Sequence, residues 1–214
     1  MPAPEIPFQP GLFTTAEPGF DASFSDVRRL ELDGTSWVDH AEGWVRGADA
    51  LFKRVLGARD WAQRTRWMYQ RHLQEPRLTA PWSLASGAPL DPLVEDMRLA
   101  LSARYGVSFD TVGFNLYRDG QDSVAWHRDH ILPAIAEPTI ALVSLGERRK
   151  FLLRPHGGGP SRAFLLGRGD LLVTGGRTNR EWEHAVPKVA QAGPRISLAF
   201  RYGMDARAYG GRRG

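Results

Sequence analysis

Two periodicities divide the chain near Gly106. Upstream, Trp44, Ala48, Leu51, Phe52 and Val55 recur at helical spacing and predict a helix between Trp44 and Trp61, with Gly57 as its stop. A second helix is better marked: Asp91 can cap it, Pro92 suits its first turn, Leu93, Met97, Ala100 and Leu101 form one stripe, and Gly106 ends it. Downstream the pattern turns β-prone. The runs "VSFDTVGFNLY", "PTIALVSLG", "KFLLRP", "AFLLGRGDLLVTGG" and "RISLAFRYG" are short, apolar and separated by Gly, Pro and Asp turns. Helices followed by many strands predict an α+β domain whose strands form a sandwich or jelly roll.

Residues 1–40 read as an N-terminal arm and 41–214 as a single domain. Within it, 41–106 forms the helical part, 107–203 the β core and 204–214 a loose tail. "HGGGP" (156–160) and "GRGD" (167–170) read as hairpin turns. With 42% hydrophobic and 24% charged residues, the chain has the balance of a soluble globular protein. Its apolar runs are too short to span a bilayer, and the first 20 residues show no basic start followed by an apolar stretch, so a cytoplasmic protein is expected. Nothing in the chain calls for an obligate protein partner, and a monomer is expected.

Charge and cysteine content narrow the chemistry. The net charge of +4 comes from arginine, since only Lys53, Lys150 and Lys188 are lysines. Arginine suits bidentate phosphate contacts, although arginine enrichment alone does not imply a nucleic acid ligand. There is no cysteine, so a metal must be held by His, Asp or Glu.

"WHRDH" (126–130) supplies a candidate. On extended backbone, His127 and Asp129 point to the same side, and His184, 184 − 129 = 55 residues beyond Asp129, is the best third ligand. Two imidazoles and a carboxylate on one face of an octahedron suit non-haem Fe(II) and O₂ chemistry. A hydrogen-bonded core histidine and a turn aspartate account for the same residues. "GPRISLAFRYG" places Arg195 and Arg201 on one face of a strand, with Ile196, Leu198 and Phe200 opposite. Inward guanidinium groups imply a buried anion, either a dicarboxylate cosubstrate or structural acids. Asn115 and Tyr117 share that alternation and can hydrogen-bond the same anion.

"NLYRDGQDSVAWHRD", "PTIALVSLGERRKFLLRP", "GDLLVTGG", "WEHAVPK" and "PRISLAFR", in this order, resemble the AlkB family of Fe(II)/2-oxoglutarate-dependent dioxygenases over residues 76–203. The resemblance implies a double-stranded β-helix (jelly-roll) core with an N-terminal helical and nucleotide-recognition extension. It implies His127, Asp129 and His184 as iron ligands, Arg195 for the distal carboxylate of 2-oxoglutarate, and Arg201, Asn115 and Tyr117 as further cosubstrate contacts. The implied reaction consumes O₂ and 2-oxoglutarate, releases succinate and CO₂, and dealkylates N-alkylated bases of the 1-methyladenine and 3-methylcytosine type in DNA or RNA. Three departures stand out. Ile131 occupies a position where many members carry an acid, leaving His130 or Glu137 to compensate; Ser197 replaces a usual Asn; and the segment after "PRLTA" is shortened.

"RTRWMYQRHLQEPR" (64–77) interleaves basic and aromatic residues. Arg66, Trp67, Tyr69, Arg77 and His130 are the candidate substrate contacts, with Arg149 and Lys150 as candidate backbone contacts. A core strand with solvated arginines outside has the same pattern. Two other readings remain: the same oxygenase chemistry on a small molecule, protein or lipid, and a non-catalytic nucleic-acid-binding module.

Overall fold

The computed structural model describes residues 17–68 and 71–204. Two short strands, β1 (Gly19–Phe20) and β2 (Arg28–Glu31), lead into β3 (Ser36–Ala41) and β4 (Val45–Arg46), which are followed by helix α1 (Ala48–Ala58). β5 (Thr65–Met68), β6 (Arg71–Gln74) and β7 (Leu78–Ser83) precede a short 3₁₀ turn and helix α2 (Pro92–Tyr105). The β half follows: β8 (Thr111–Tyr117), β9 (Val124–His127), β10 (Ile140–Gly146), β11 (Arg149–Pro155), β12 (Arg162–Leu166) and β13 (Asp170–Gly176). A single helical turn, α3 (Thr178–Glu181), then β14 (Trp182–Val186) and β15 (Arg195–Arg201) complete the order.

Apart from the two-stranded pairs β1–β4 and β5–β6, these strands form two antiparallel sheets, the jelly-roll core expected of the β half. The larger runs β2-β3-β13-β10-β15-β8-β7 and the smaller β12-β11-β14-β9. Alternation along each strand produces two cores. In β15, Ile196, Leu198 and Phe200 pack outward against α1 and α2, joining Leu51, Phe52, Met97 and Leu101. The opposite face of that sheet meets the smaller sheet through residues such as Leu142, Phe151, Leu153, Leu172 and Ala199. The polar residues of β15 therefore point into the space between the sheets.

Helix α2 follows its sequence signals. Asp91 Oδ1 accepts from the Leu93 N–H at 3.0 Å, and Gly106, at φ 65, returns its N–H to the Ser102 carbonyl. Helix α1 departs from expectation at both ends. Trp44 is buried at the correct spacing but belongs to the β3–β4 turn, where its indole donates to the Asp21 carbonyl at 2.8 Å. The helix starts only after Gly47, whose φ of 61 breaks the chain direction, and it passes through Gly57 to Ala58.

The N-terminal segment is woven into the larger sheet. β3 pairs with β13 from Ala41↔Leu171 to Ser36↔Gly176, and β2 pairs with β3 on its other side. "HGGGP" joins the paired strands β11 and β12, as a hairpin should. The "GRGD" turn instead carries the chain from β12 in the smaller sheet to β13 in the larger, because those strands lie in different sheets. β5 and β6 form a separate hairpin with Arg66↔Leu73 and Trp67↔His72 in register. The tail from 205 onward and Tyr69 lie outside the described residues. Among the described residues no helix is long and apolar enough to cross a membrane.

Candidate metal centre and cosubstrate cavity

The register of the smaller sheet brings two distant histidines together. His184 on β14 lies directly opposite His127 on β9, with ring centroids 4.2 Å apart. Asp129 follows β9 by two residues, and its Oδ1 is 3.9 Å from His127 Nε2. One ligand atom from each of the three residues falls within 4.8 Å of the others. The His184 ring is stacked on Phe151, centroids 5.1 Å apart at 23°.

Each ligand is oriented by a neighbour. His127 Nδ1 donates to the Ala125 carbonyl at 2.8 Å, which leaves the Nε2 lone pair facing Asp129. Asp129 exchanges two hydrogen bonds with the Asn179 amide: its N–H donates to Oδ1, and its carbonyl accepts from Nδ2, both at 3.0 Å. Arg180 holds the following loop by donating to the carbonyls of Leu132 at 2.7 Å and Ile135 at 2.6 Å. The Asp129 carboxylate receives Arg201 in a bidentate pair, Nε to Oδ2 at 2.8 Å and Nη2 to Oδ1 at 3.1 Å. Gly113 makes room for that guanidinium, since a Cβ there would stand 2.8 Å from Arg201 Nη1.

The electrostatics prepare the three groups for a cation. Burial lowers the His184 pKa to about 3, reinforced by the neighbouring His127. Burial also lowers that of His127. For Asp129, burial opposes ionisation, but the Arg201 guanidinium, by its charge and its hydrogen bonds, outweighs it and keeps the carboxylate charged. Two neutral imidazoles and a carboxylate, with oxygen and nitrogen lone pairs converging, form a donor set that fits Fe(II).

The cosubstrate end has its own signature. Arg195 is 1% exposed, and its Nη2 donates to Ser144 Oγ at 2.6 Å. Its Nε and Nη1 are buried without hydrogen-bond partners, while the guanidinium lies over the Tyr117 ring, 5.2 Å from its centroid. A buried cation with two unused donors is costly and fits an incoming carboxylate. Tyr117 and Asn115 sit opposite Arg195 and Ser197 on the paired strand. Arg195, Tyr117, Asn115, Ser197 and the three metal-ligand candidates line one cavity of about 1000 Å³.

The remaining sequence candidates are dispersed. Arg77 and His130 line the cavity, as do Arg59, Arg64 and Arg128. Arg66 and Trp67 belong to the β5 backbone of the hairpin. Ile131 is buried in the core between the sheets, paired with Met204, and is not a lining residue. Glu137 is likewise absent from the lining. Arg149 is 2% exposed and donates to the carbonyls of Asp119, Asp122 and Pro187, so it fastens loops together and is withdrawn from any surface contact. Sequence reasoning missed Ser144, Asn179, Gly113 and Glu75. Of these only Ser144 carried a signal, as the lone polar residue in "IALVSLG".

A jelly roll with a His-Asp-His site beside a buried arginine defines a mononuclear iron oxygenase class. Residues 40–201 match the family model for the 2OG-Fe(II) oxygenase superfamily. The chain belongs to that superfamily, within its AlkB family, whose members are dioxygenases using Fe(II), 2-oxoglutarate and O₂. It is 32% identical over 191 residues to the Bos taurus alpha-ketoglutarate-dependent dioxygenase alkB homolog 3, covering 78% of this chain and 66% of that protein. To the Bos taurus DNA oxidative demethylase ALKBH2 it is 35% identical over 125 residues, 54% of this chain and 45% of that protein. The chain thus spans less than two-thirds of these relatives' length. The solved structure of OsALKBH1 superposes with a TM-score of 0.56 at 16% identity, covering 81% of this chain and 99% of that one, and supports the fold.

Proposed function

We propose that this chain oxidatively dealkylates N-alkylated nucleobases of the 1-methyladenine and 3-methylcytosine type in DNA or RNA. In this reading His127, Asp129 and His184 hold the iron, and Arg195 holds the distal carboxylate of 2-oxoglutarate. The observation that carries it is the convergence of a metal-ligand triad and a half-satisfied buried guanidinium in one cavity bordered by arginines. When bound, iron with 2-oxoglutarate and O₂ would supply the oxidant, and the N-hydroxymethyl product would release formaldehyde.

The chain's part is to bind, orient and exclude water. Asn179 and Arg201 fix the Asp129 backbone and carboxylate, so the ligand set is pre-formed. Arg201 pairs with Asp129 and lines the cavity, and in this reading it is the second arginine at the cosubstrate end. Asn115 and Tyr117 present an amide and a phenol to the same cavity wall. Arg64 and Arg128 favour a phosphate backbone at the cavity border, and Arg77, His130, Arg66, Trp67 and Tyr69 are the substrate contacts the sequence offers. The names of the two relatives support this substrate class.

The test is release of succinate and formaldehyde from a 1-methyladenine or 3-methylcytosine oligonucleotide with Fe(II), ascorbate and 2-oxoglutarate present. Turnover lost in His127→Ala supports the reading. If 2-oxoglutarate is consumed at a rate that no alkylated oligonucleotide alters, the nucleobase assignment fails and the substrate lies in another class.

A further inference from the structure

The cavity is unusually poor in negative charge for a site that would receive a cationic base. Six arginines line it, Arg59, Arg64, Arg77, Arg128, Arg195 and Arg201, and among the described lining residues only Glu75 and Asp129 are acids. Asp129 is committed: both its oxygens receive Arg201, and it belongs to the metal-ligand set. A base alkylated at its pairing nitrogen carries a positive charge and is repelled by such a wall unless a second carboxylate meets it.

Glu75 is placed to do so. It stands at the root of the β5–β6 hairpin, where its N–H donates to the Arg64 carbonyl at 2.8 Å and its carbonyl accepts from Gln63 Nε2 at 3.0 Å. The next carbonyl, that of Pro76, accepts from the Ser123 N–H at 2.7 Å, tying the turn to the residue that leads into β9 and His127. The backbone under the carboxylate is therefore fixed. The side chain is 90% buried and faces Arg77 Nη2 at 3.1 Å. Arg77 and Glu75 line the same cavity as His127, Asp129 and His184.

We propose that Glu75 is the specificity-determining carboxylate that receives the positive charge of the alkylated base, with Arg77 as the partner it holds until substrate enters. The inference rests on the nucleobase reading above. Arg77 screens the acid from unfavourable burial in the free protein, and the substrate cation takes over that role in the complex.

The experiment compares kcat/KM on oligonucleotides carrying 1-methyladenine or 3-methylcytosine, which are cationic, with one carrying 3-methylthymine, which is neutral. Glu75→Gln keeps the shape and removes the charge, and should lower the cationic-to-neutral ratio about tenfold, mainly through KM. Glu75→Asp should hold the ratio near that of the wild type. Arg77→Met removes the cation that faces the carboxylate and should raise the ratio, the opposite sign, which also decides the matter if Glu75→Gln does not fold. A ratio unmoved in Glu75→Gln, parallel losses on both substrate types, or a ratio that falls in Arg77→Met overturns the inference alone. A wild-type protein that turns over no alkylated oligonucleotide overturns the nucleobase reading and this inference with it.

Discussion

Replacing Arg195 by Met should separate two properties that usually fall together, making the free protein no less stable while removing its grip on 2-oxoglutarate. The side chain is 1% exposed and keeps its cation with neutral partners alone, Ser144 Oγ and the Tyr117 phenol, while Nε and Nη1 have none. Unsatisfied buried donors cost about 1–3 kcal/mol each, and swapping buried ionic groups for apolar ones of similar volume is often neutral or stabilising by about 1–4 kcal/mol. With the distal carboxylate of 2-oxoglutarate on those two donors the balance reverses. Stranding that carboxylate opposite a methionine should cost about 3–5 kcal/mol, or roughly two to nearly four orders of magnitude in Kd. The assay titrates the anaerobic Fe(II) protein with 2-oxoglutarate and with 2-oxobutyrate, which keeps the keto acid but lacks the distal carboxylate, alongside urea unfolding of each metal-free form. Wild type should prefer 2-oxoglutarate strongly, and Arg195→Met should bind both alike. A variant that still prefers 2-oxoglutarate, or that weakens both ligands equally, would refute the placement of Arg195.

Three further outcomes follow from single contacts. Gly113→Ala puts a methyl 2.8 Å from the present position of Arg201 Nη1 and should drive the guanidinium off Asp129; metal affinity, read by Fe(II) titration, should fall about 10- to 100-fold with the fold intact. Arg149→Met strips three carbonyls of their donor and should lower urea stability by at least about 3 kcal/mol at an unchanged m-value. For pH, the His184 pKa of about 3 lies below that of a free imidazole, so between these values the unfolded chain binds a proton that the folded chain lacks. The metal-free protein should therefore lose stability as pH falls through that window, by at most about 1.4 kcal/mol per pH unit from this group. His184→Gln should flatten the slope, and an unchanged slope would show that His184 does not stay neutral in the folded state.

What could be read in the sequence depended on how local the physics was. Helix α2 was legible because its cap, first-turn proline and terminal glycine act within their own neighbourhood. The inward face of β15 was legible for the same reason, since strand alternation alone puts Arg195, Ser197, Ala199 and Arg201 on one side. Trp44 shows the limit: its spacing matched the helix, but the left-handed backbone at Gly43 and Gly47 set the helix start instead. Periodicity reports which side chains are buried, and it is blind to the backbone direction that buries them.

The site was half legible on the same terms. His127 and Asp129 sit two apart and share a side by strand geometry, whereas His184 was the best third candidate with no local geometry to join it to them. The structure shows the physical cause, a register placing His184 directly opposite His127. Register is a property of two strands together, and no single segment encodes it. The residues that hold the ligands are still more remote. Asn179 lies 50 residues from Asp129, and the glycine that admits Arg201 belongs to a neighbouring strand, with Gly113 paired to Ala199. Glu75 carries no local signal in the sequence, since it lies far along the chain from Ile131 and reaches the cavity only through the hairpin root. The cavity wall is assembled from the hairpin root, β7, β8, β9 and β15, so a charge lost at one of these can be supplied by any other. That is why the ratio of cationic to neutral turnover in Glu75→Gln tests more than one residue. It asks whether the wall as a whole, and not one position in a motif, sets what this protein accepts.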